Sequence, residues 1–262
     1  MEFETLTVEC DANVATVTLN RPPVNAVSAQ MQIDLIDAFS QLSEDRQVHA
    51  VVLAGAGDRA FCGGIDLKEL ESGVSGGGDS LRSTTNPGWR WREAQHVIRH
   101  SAVPVIAAVE RPAIGAGFGL IGVSDLIVAS TTASFGLTEI NVGLLGGASK
   151  ALRLVGPHKA RMMMYTGELQ SAAEFYRLGV IERLVEPGGA LAAATEIARR
   201  IAGKSPLAMR LAKESILRIE TDELEEQYRT EWDYTNRLRG FNDSAEGLAA
   251  FLEKREPNWT LS

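Results

Sequence analysis

Apolar and polar residues alternate through TLTVEC (5–10) and VATVTLN (14–20), the two-residue period of half-buried strands. Asp11-Ala12-Asn13 between them predicts a hairpin turn. RPPVNA then breaks the alternation with two prolines. Ser28 follows as an N-cap, and Met31, Leu35, Ile36, Phe39 and Leu42 recur at the spacing of one helix face. VHAVVLAG (48–55), PVIAAVE (104–110) and DLIVAS (125–130) are short apolar runs that read as buried strands. Strand, helix and strand in repetition predict crossover units with mostly parallel pairing. From about Ser149 helical spacing takes over, in SKALRLVG, HKARMMMYTG, SAAEFYRLG, ALAAATEIARRIAG and SPLAMRLAKESILRI. Ser171 with Glu174 forms a capping box, Gly179 closes that helix, and GVIERLV supplies one last short strand. The tail beyond Ile219 is charged and amphipathic. Tyr228, Trp232, Tyr234, Phe241 and Phe251 along it call for a partner surface.

Length narrows the picture: 262 residues suit one large α/β domain, or a core plus a small appendage. A formal charge of −8 is unfavourable for non-specific nucleic-acid binding, because phosphates need a basic face. An anionic small ligand would be held by a few local cations and backbone N–H groups. Cys10 and Cys62 make no disulfide framework and fit a reducing cytoplasm. MEFETLTVEC has neither the basic nor the apolar stretch of a signal peptide. The apolar run 112–124 is too short to span a bilayer, so no membrane association is expected.

Two glycine-bearing turns carry the candidate chemistry. AFCGGIDLKEL (60–70) and AIGAGFGL (113–120) each follow a strand and lead into a helix-like stretch. Backbone N–H groups at such turns stabilise negative charge. Two of them at one sheet edge can aim at a single oxygen, which is an oxyanion hole. Gly117, Gly119 and Gly122 match the dinucleotide spacing G-x-G-x-x-G, but they sit late in the chain, and no Walker ending is present. In ASFGLTEINVGLLGG (133–147), Glu139 stands among small and apolar residues. It reads either as a desolvated acid/base or as a surface residue at a helix start. Residues 71–91 are rich in glycine and serine and end in Trp89 and Trp91. They read as a lid-like loop or a surface excursion.

LNRPPVNAV, AFCGGIDLKEL, PVIAAVERPAIGAGFGL, SDLIVASTTASFGLTEINVGLLGG, MMMYTGELQSAAEFYRLGVIERLV and KSPLAMRLAKESI follow the order and spacing of a known family. The chain resembles the crotonase (enoyl-CoA hydratase/isomerase) superfamily over almost its whole length. The resemblance implies a spiral of ββα units over residues 1–200, with a helical trimerisation region at 201–262. It implies a homotrimer or a hexamer of paired trimers. The ligand would be an acyl-CoA thioester, with no cofactor beyond the coenzyme A of the substrate. The oxyanion donors would be the N–H groups of Ile65 and Ala116, flanked by Gly64 and Gly115. Val24, Ala26, Asp66, Leu67 and Lys68 would lie along the CoA portion.

Glu139 matches the second catalytic glutamate of the hydratases, while the first corresponds to Gly119. One carboxylate suffices to move a double bond through an enolate. Hydration normally uses two, so this chain would isomerise, hydrate an unusual substrate whose bulk Gly119 admits, or only bind acyl-CoA. Four other residues are weighed as substitutes or nucleophiles. Glu110 reads as a solvated turn charge, His96 and His100 as structural helix residues, and Cys62 as a small buried side chain. Asp125 is assigned no chemistry.

Overall fold

The computed structural model describes residues 2–71, 86, 88–220 and 223–260. The hairpin forms as β1 (Leu6–Asp11) and β2 (Val14–Leu19), paired antiparallel. Ala12 and Asn13 both take positive φ at its turn. Helix α1 (Ala29–Glu44) follows, and the Ser28 hydroxyl accepts from Met31 N at 3.1 Å. Strands β3 (Ala50–Gly55), β4 (Val105–Val109), β6 (Leu126–Ser130) and β9 (Arg183–Val185) extend the sheet in parallel, in the order β1-β2-β3-β4-β6-β9.

A second sheet was hidden in the sequence. It comprises β5 (Ala113–Ile114), β7 (Ser134–Gly136) and β8 (Gln170–Ser171). Strands of two or three residues are too short to display alternation, so the pattern leaves them as turns. The chain therefore passes from one sheet to the other and back, which gives the spiral of the ββα fold.

Both faces of the larger sheet are buried. Val51 and Leu53 point into the main core with Phe39, Phe118 and Phe135. Ala50, Val52 and Ala54 point the other way, against Ala194 and Ala198 of helix α7 (Ala190–Ala202). Small residues on that face let the helix lie close. Between these lie α2 (Leu67–Glu71), α3 (Trp89–Arg99), α4 (Ala116–Gly122), a 3₁₀ turn at Thr138–Val142, α5 (Ala148–Thr166) and α6 (Ala172–Arg177). The two helical patterns after Ser149 meet in α5, kinked at Gly156 before Pro157. Gly122 in α4 is a packing residue, since a Cβ at 122 would stand 2.7 Å from that of Lys150.

The last helices are α8 (Pro206–Ile219), α9 (Glu223–Arg239) and α10 (Asn242–Glu253). Lys213 of α8 is buried and donates to Val103 O and Asp125 Oδ2, at 3.0 and 2.8 Å. Asp125 also accepts from Val105 N at 2.7 Å, so it ties α8 to the sheet. Helix α9 packs on α5, and α10 packs on the 3₁₀ turn. No helix among the described residues is long and apolar enough to cross a membrane.

Candidate active site

The turn after β3 is stapled by a residue that sequence reasoning passed over. Asn25 is buried at positive φ in the proline-rich break. Its Nδ2 lies within hydrogen-bond reach of the carbonyls of Ala56, Ala60 and Phe61, at 2.9–3.2 Å. Its Oδ1 accepts from Arg21 N at 2.9 Å. Val27 N donates to Gly64 O and Asp66 N to Val27 O, which leaves the Ile65 peptide between two anchored neighbours. Gly64 takes φ +109°, a conformation closed to residues with a Cβ.

The second turn sits beside the first. Ile114 N donates to Cys62 O, and Gly115 N to Gly136 O, each at 3.0 Å. Gly115 adopts φ 54°, ψ −113° and starts α4 at Ala116. The first N–H groups of a helix have no intrahelical acceptor, so Ala116 N is available for an external oxygen. Neither Ile65 N nor Ala116 N takes part in the backbone bonds that hold these turns.

Ile65, Ala116 and Glu139 line one cavity of about 260 Å³. Gly64, Leu67, Gly115 and Gly119 line it too. Glu139 lies in the 3₁₀ turn. A Cβ built on Gly115 or on Gly146 would stand 3.0 Å from its Oε1, so glycine at both positions leaves the carboxylate room. Its Oε2 is buried without a protein partner. Burial pushes the carboxyl up to about 8, and the charge of Glu231 adds to the rise.

The remaining expected residues fall elsewhere. Val24, Ala26, Asp66 and Lys68 are not in the cavity lining. Val24 O accepts from Gly63 N, and Ala26 O from Arg21 Nη1. Asp66 pairs with Arg21 Nη2 at 2.6 Å and accepts from Lys68 N and Glu69 N, capping α2. Burial would raise the Asp66 carboxyl, but Arg21 and these N–H groups hold it below its ordinary range. Lys68 is exposed. Most of the lid-like stretch 71–91 lies outside the described residues, but Trp91 on α3 lines the cavity.

The residues weighed as substitutes or nucleophiles have other surroundings. Glu110 is no solvated turn charge. It accepts from Gly188 N and Ala190 N, at 2.5 and 3.1 Å, and caps α7. His96 and His100 stack at 4.2 Å on the exposed side of α3. Burial pushes the Cys62 thiol up to about 12, which leaves no thiolate near neutral pH.

Among the polar and aromatic residues that line the cavity and were not legible as site residues are Gln95, Lys150, Tyr228, Glu231, Trp232 and Thr235. Four of them come from α9, whose helical pattern says nothing about where it docks. Glu231 accepts from Gly147 N, Ser149 N and Ser149 Oγ at the start of α5. Lys150 is 2% exposed, with its Nζ 3.4 Å from the centre of the Tyr228 ring. Burial pushes its ammonium down to about 8, against the opposing pull of Glu231. Burial also holds the Tyr228 phenol well above its ordinary range, so it stays protonated.

The family model for enoyl-CoA hydratase/isomerase matches residues 9–261. The chain belongs to that family. It is 38% identical to a probable enoyl-CoA hydratase of Rhizobium meliloti, over 98% of both chains. It is 34% identical to the (7aS)-7a-methyl-1,5-dioxo-2,3,5,6,7,7a-hexahydro-1H-indene-carboxyl-CoA hydrolase of Mycobacterium tuberculosis, over 93% of this chain and 96% of the relative. Among solved structures, carnitinyl-CoA hydratase from Mycobacterium avium superposes with a TM-score of 0.86 at 32% identity. That match covers 98% of this chain and 99% of the other. An enzyme of the enoyl-CoA hydratase/isomerase family on the crotonase fold is thus established, with its exact reaction open.

Proposed function

We propose that this enzyme moves a double bond in an acyl-CoA thioester through an enolate, with Glu139 as the single acid/base. The observation that carries this reading is the meeting of Glu139 with the peptides of Ile65 and Ala116 around one cavity. In a 3-enoyl thioester, the Glu139 carboxylate takes a proton from C2. The C–H electron pair delocalises onto the thioester oxygen, where the Ile65 and Ala116 N–H groups stabilise the charge. Glu139, now protonated, returns the proton to C4, and the double bond comes to rest between C2 and C3. No atom is gained or lost, so no water and no second acid are required.

A carboxyl pushed up to about 8 suits this shuttle. It is basic enough to take a proton and holds one readily until C4 is reached. Glu231 is a poor second acid, since both its oxygens are committed to the start of α5. The loop residues Val24, Ala26, Asp66 and Lys68 stand near the turn of Ile65, and we assign the CoA portion to that side.

The second reading is hydration, favoured by the names of the relatives. It would place a water in the space at Gly119. Offering purified enzyme both crotonyl-CoA and a 3-enoyl-CoA separates the two. Isomerisation without hydration at comparable rates is expected. Rapid hydration of crotonyl-CoA would overturn the single-carboxylate reading, and tight binding without either reaction would favour a non-catalytic binder.

A further inference from the structure

Four buried side-chain atoms among the described residues have no protein partner: Gln95 Oε1, Glu139 Oε2, Trp232 Nε1 and Arg111 Nε. Three of the four belong to residues lining the same cavity. Buried polar groups are nearly always paired, so each of these atoms marks a place around the cavity suited to a polar occupant. Proton transfer accounts for Glu139. It does not account for Gln95 or Trp232.

Gln95 is 5% exposed, on the inner face of α3. Its Nε2 donates to Trp91 O at 3.3 Å, which orients the amide. A Cβ built on Gly119 would stand 3.5 Å from Gln95 Oε1 and 3.4 Å from Trp91 Cζ2. The amide oxygen therefore faces the space that glycine leaves open above α4. An amide oxygen accepts a hydrogen bond but does not shuttle protons near neutral pH, so it can hold an O–H group without reacting with it.

Position along α4 separates this feature from the base. Glu139 stands against Gly115 and Gln95 against Gly119, four residues further on. At about 1.5 Å per residue that is about 6 Å, a span of several carbon–carbon bonds. We propose that the substrate's acyl group carries a hydroxyl several carbons beyond the reacting ones, received by Gln95 in the space at Gly119. A hydroxyl donates and accepts, so its O–H satisfies Gln95 Oε1. A plain hydrocarbon chain leaves that acceptor unpaired. Gln95 is thus a specificity residue, and the substrate class is that of hydroxylated acyl-CoA thioesters. The inference rests on the acyl-CoA reading above.

Titration calorimetry of the full chain tests it. The probes are saturated acyl-CoA thioesters of five to eight carbons, each compared with its terminally hydroxylated counterpart. At one length or more, the hydroxylated thioester should bind about tenfold to a hundredfold more tightly, the effect of satisfying a buried polar group. Gln95→Leu and Gly119→Ala should each bring that ratio close to one while still binding the unsubstituted thioesters. A Cβ at 119 makes only ordinary contacts, so the second variant retains the fold even if the first does not. Equal binding of both series by the parent, or a preference that survives both substitutions, overturns the inference. Binding of no thioester at all overturns the acyl-CoA reading with it.

Discussion

In the proposed reaction Glu139 serves as the acid/base because its surroundings are unfavourable to its charge. Its folded carboxyl titrates near about 8, above the ordinary 4.5. Between those values the unfolded chain has lost the proton and the folded chain keeps it, so stability falls as pH rises from about 4.5 to about 8. Glu139→Gln removes that penalty. Its melting temperature should exceed the parent's at pH 8, and the gain should shrink toward pH 5. A gain that grew on acidification would contradict the assignment. The same titration governs turnover. The base is the deprotonated form, so kcat/KM for isomerisation should climb with pH and level off above about 8. A flat profile would mean that another group takes the proton. Glu139 was legible in the sequence as a carboxylate among small residues, with two readings open. What settled its burial was a pair of glycines, 115 and 146, far apart in the chain and both leaving it room.

At the scale of elements, the two turns proposed to hold the oxyanion keep their places because their loops are pinned to each other. Gly117 is the tightest point, where a Cβ would overlap the Cys62 carbonyl. Gly117→Ala should therefore separate α4 from the first turn. We expect a cost of about 1–3 kcal/mol in stability, in line with overpacking elsewhere, and a fall in activity beyond that of the unfolded fraction. Urea denaturation with parallel assays would check it, and unchanged activity would show that the turns tolerate displacement. Glu231 pins a different junction, α9 to the start of α5. Glu231→Ala leaves Gly147 N and Ser149 N without their acceptor. Hydrogen exchange at those amides should accelerate, with a loss of about 1–3 kcal/mol. These contacts explain the limits of the sequence pattern. The long strands and α1 declare themselves by period, and the turns by glycine and proline. Strands β5, β7 and β8 are too short for any period, and the docking of α9 is set by tertiary contacts alone.

For the whole molecule, the resemblance supplied the spiral fold, and the alternation of strands between two sheets agrees with it. The aromatic tail found part of its partner surface within its own chain: Tyr228 and Trp232 line the cavity, while Tyr234 and Phe241 stay exposed. Helix α8 keeps an apolar face open, with Leu207 74% and Ile219 78% exposed and Leu211 between them. We propose this open apolar surface as the subunit contact of the expected trimer or hexamer. Sedimentation should find the parent as an oligomer, and Leu207→Glu with Leu211→Glu should shift it toward smaller species. A monomeric parent would leave the face to another partner.

Proton transfer by Glu139 is the central step of the proposed reaction. Nuclear magnetic resonance of a 3-enoyl-CoA incubated with the enzyme in D2O follows the loss of the C2 proton and the appearance of the 2-enoyl product together. The parent should do both, and Glu139→Gln should slow both by about 10²–10⁴-fold, the contribution of a positioned acid/base. Exchange and isomerisation that proceed unchanged in the variant would contradict the central claim.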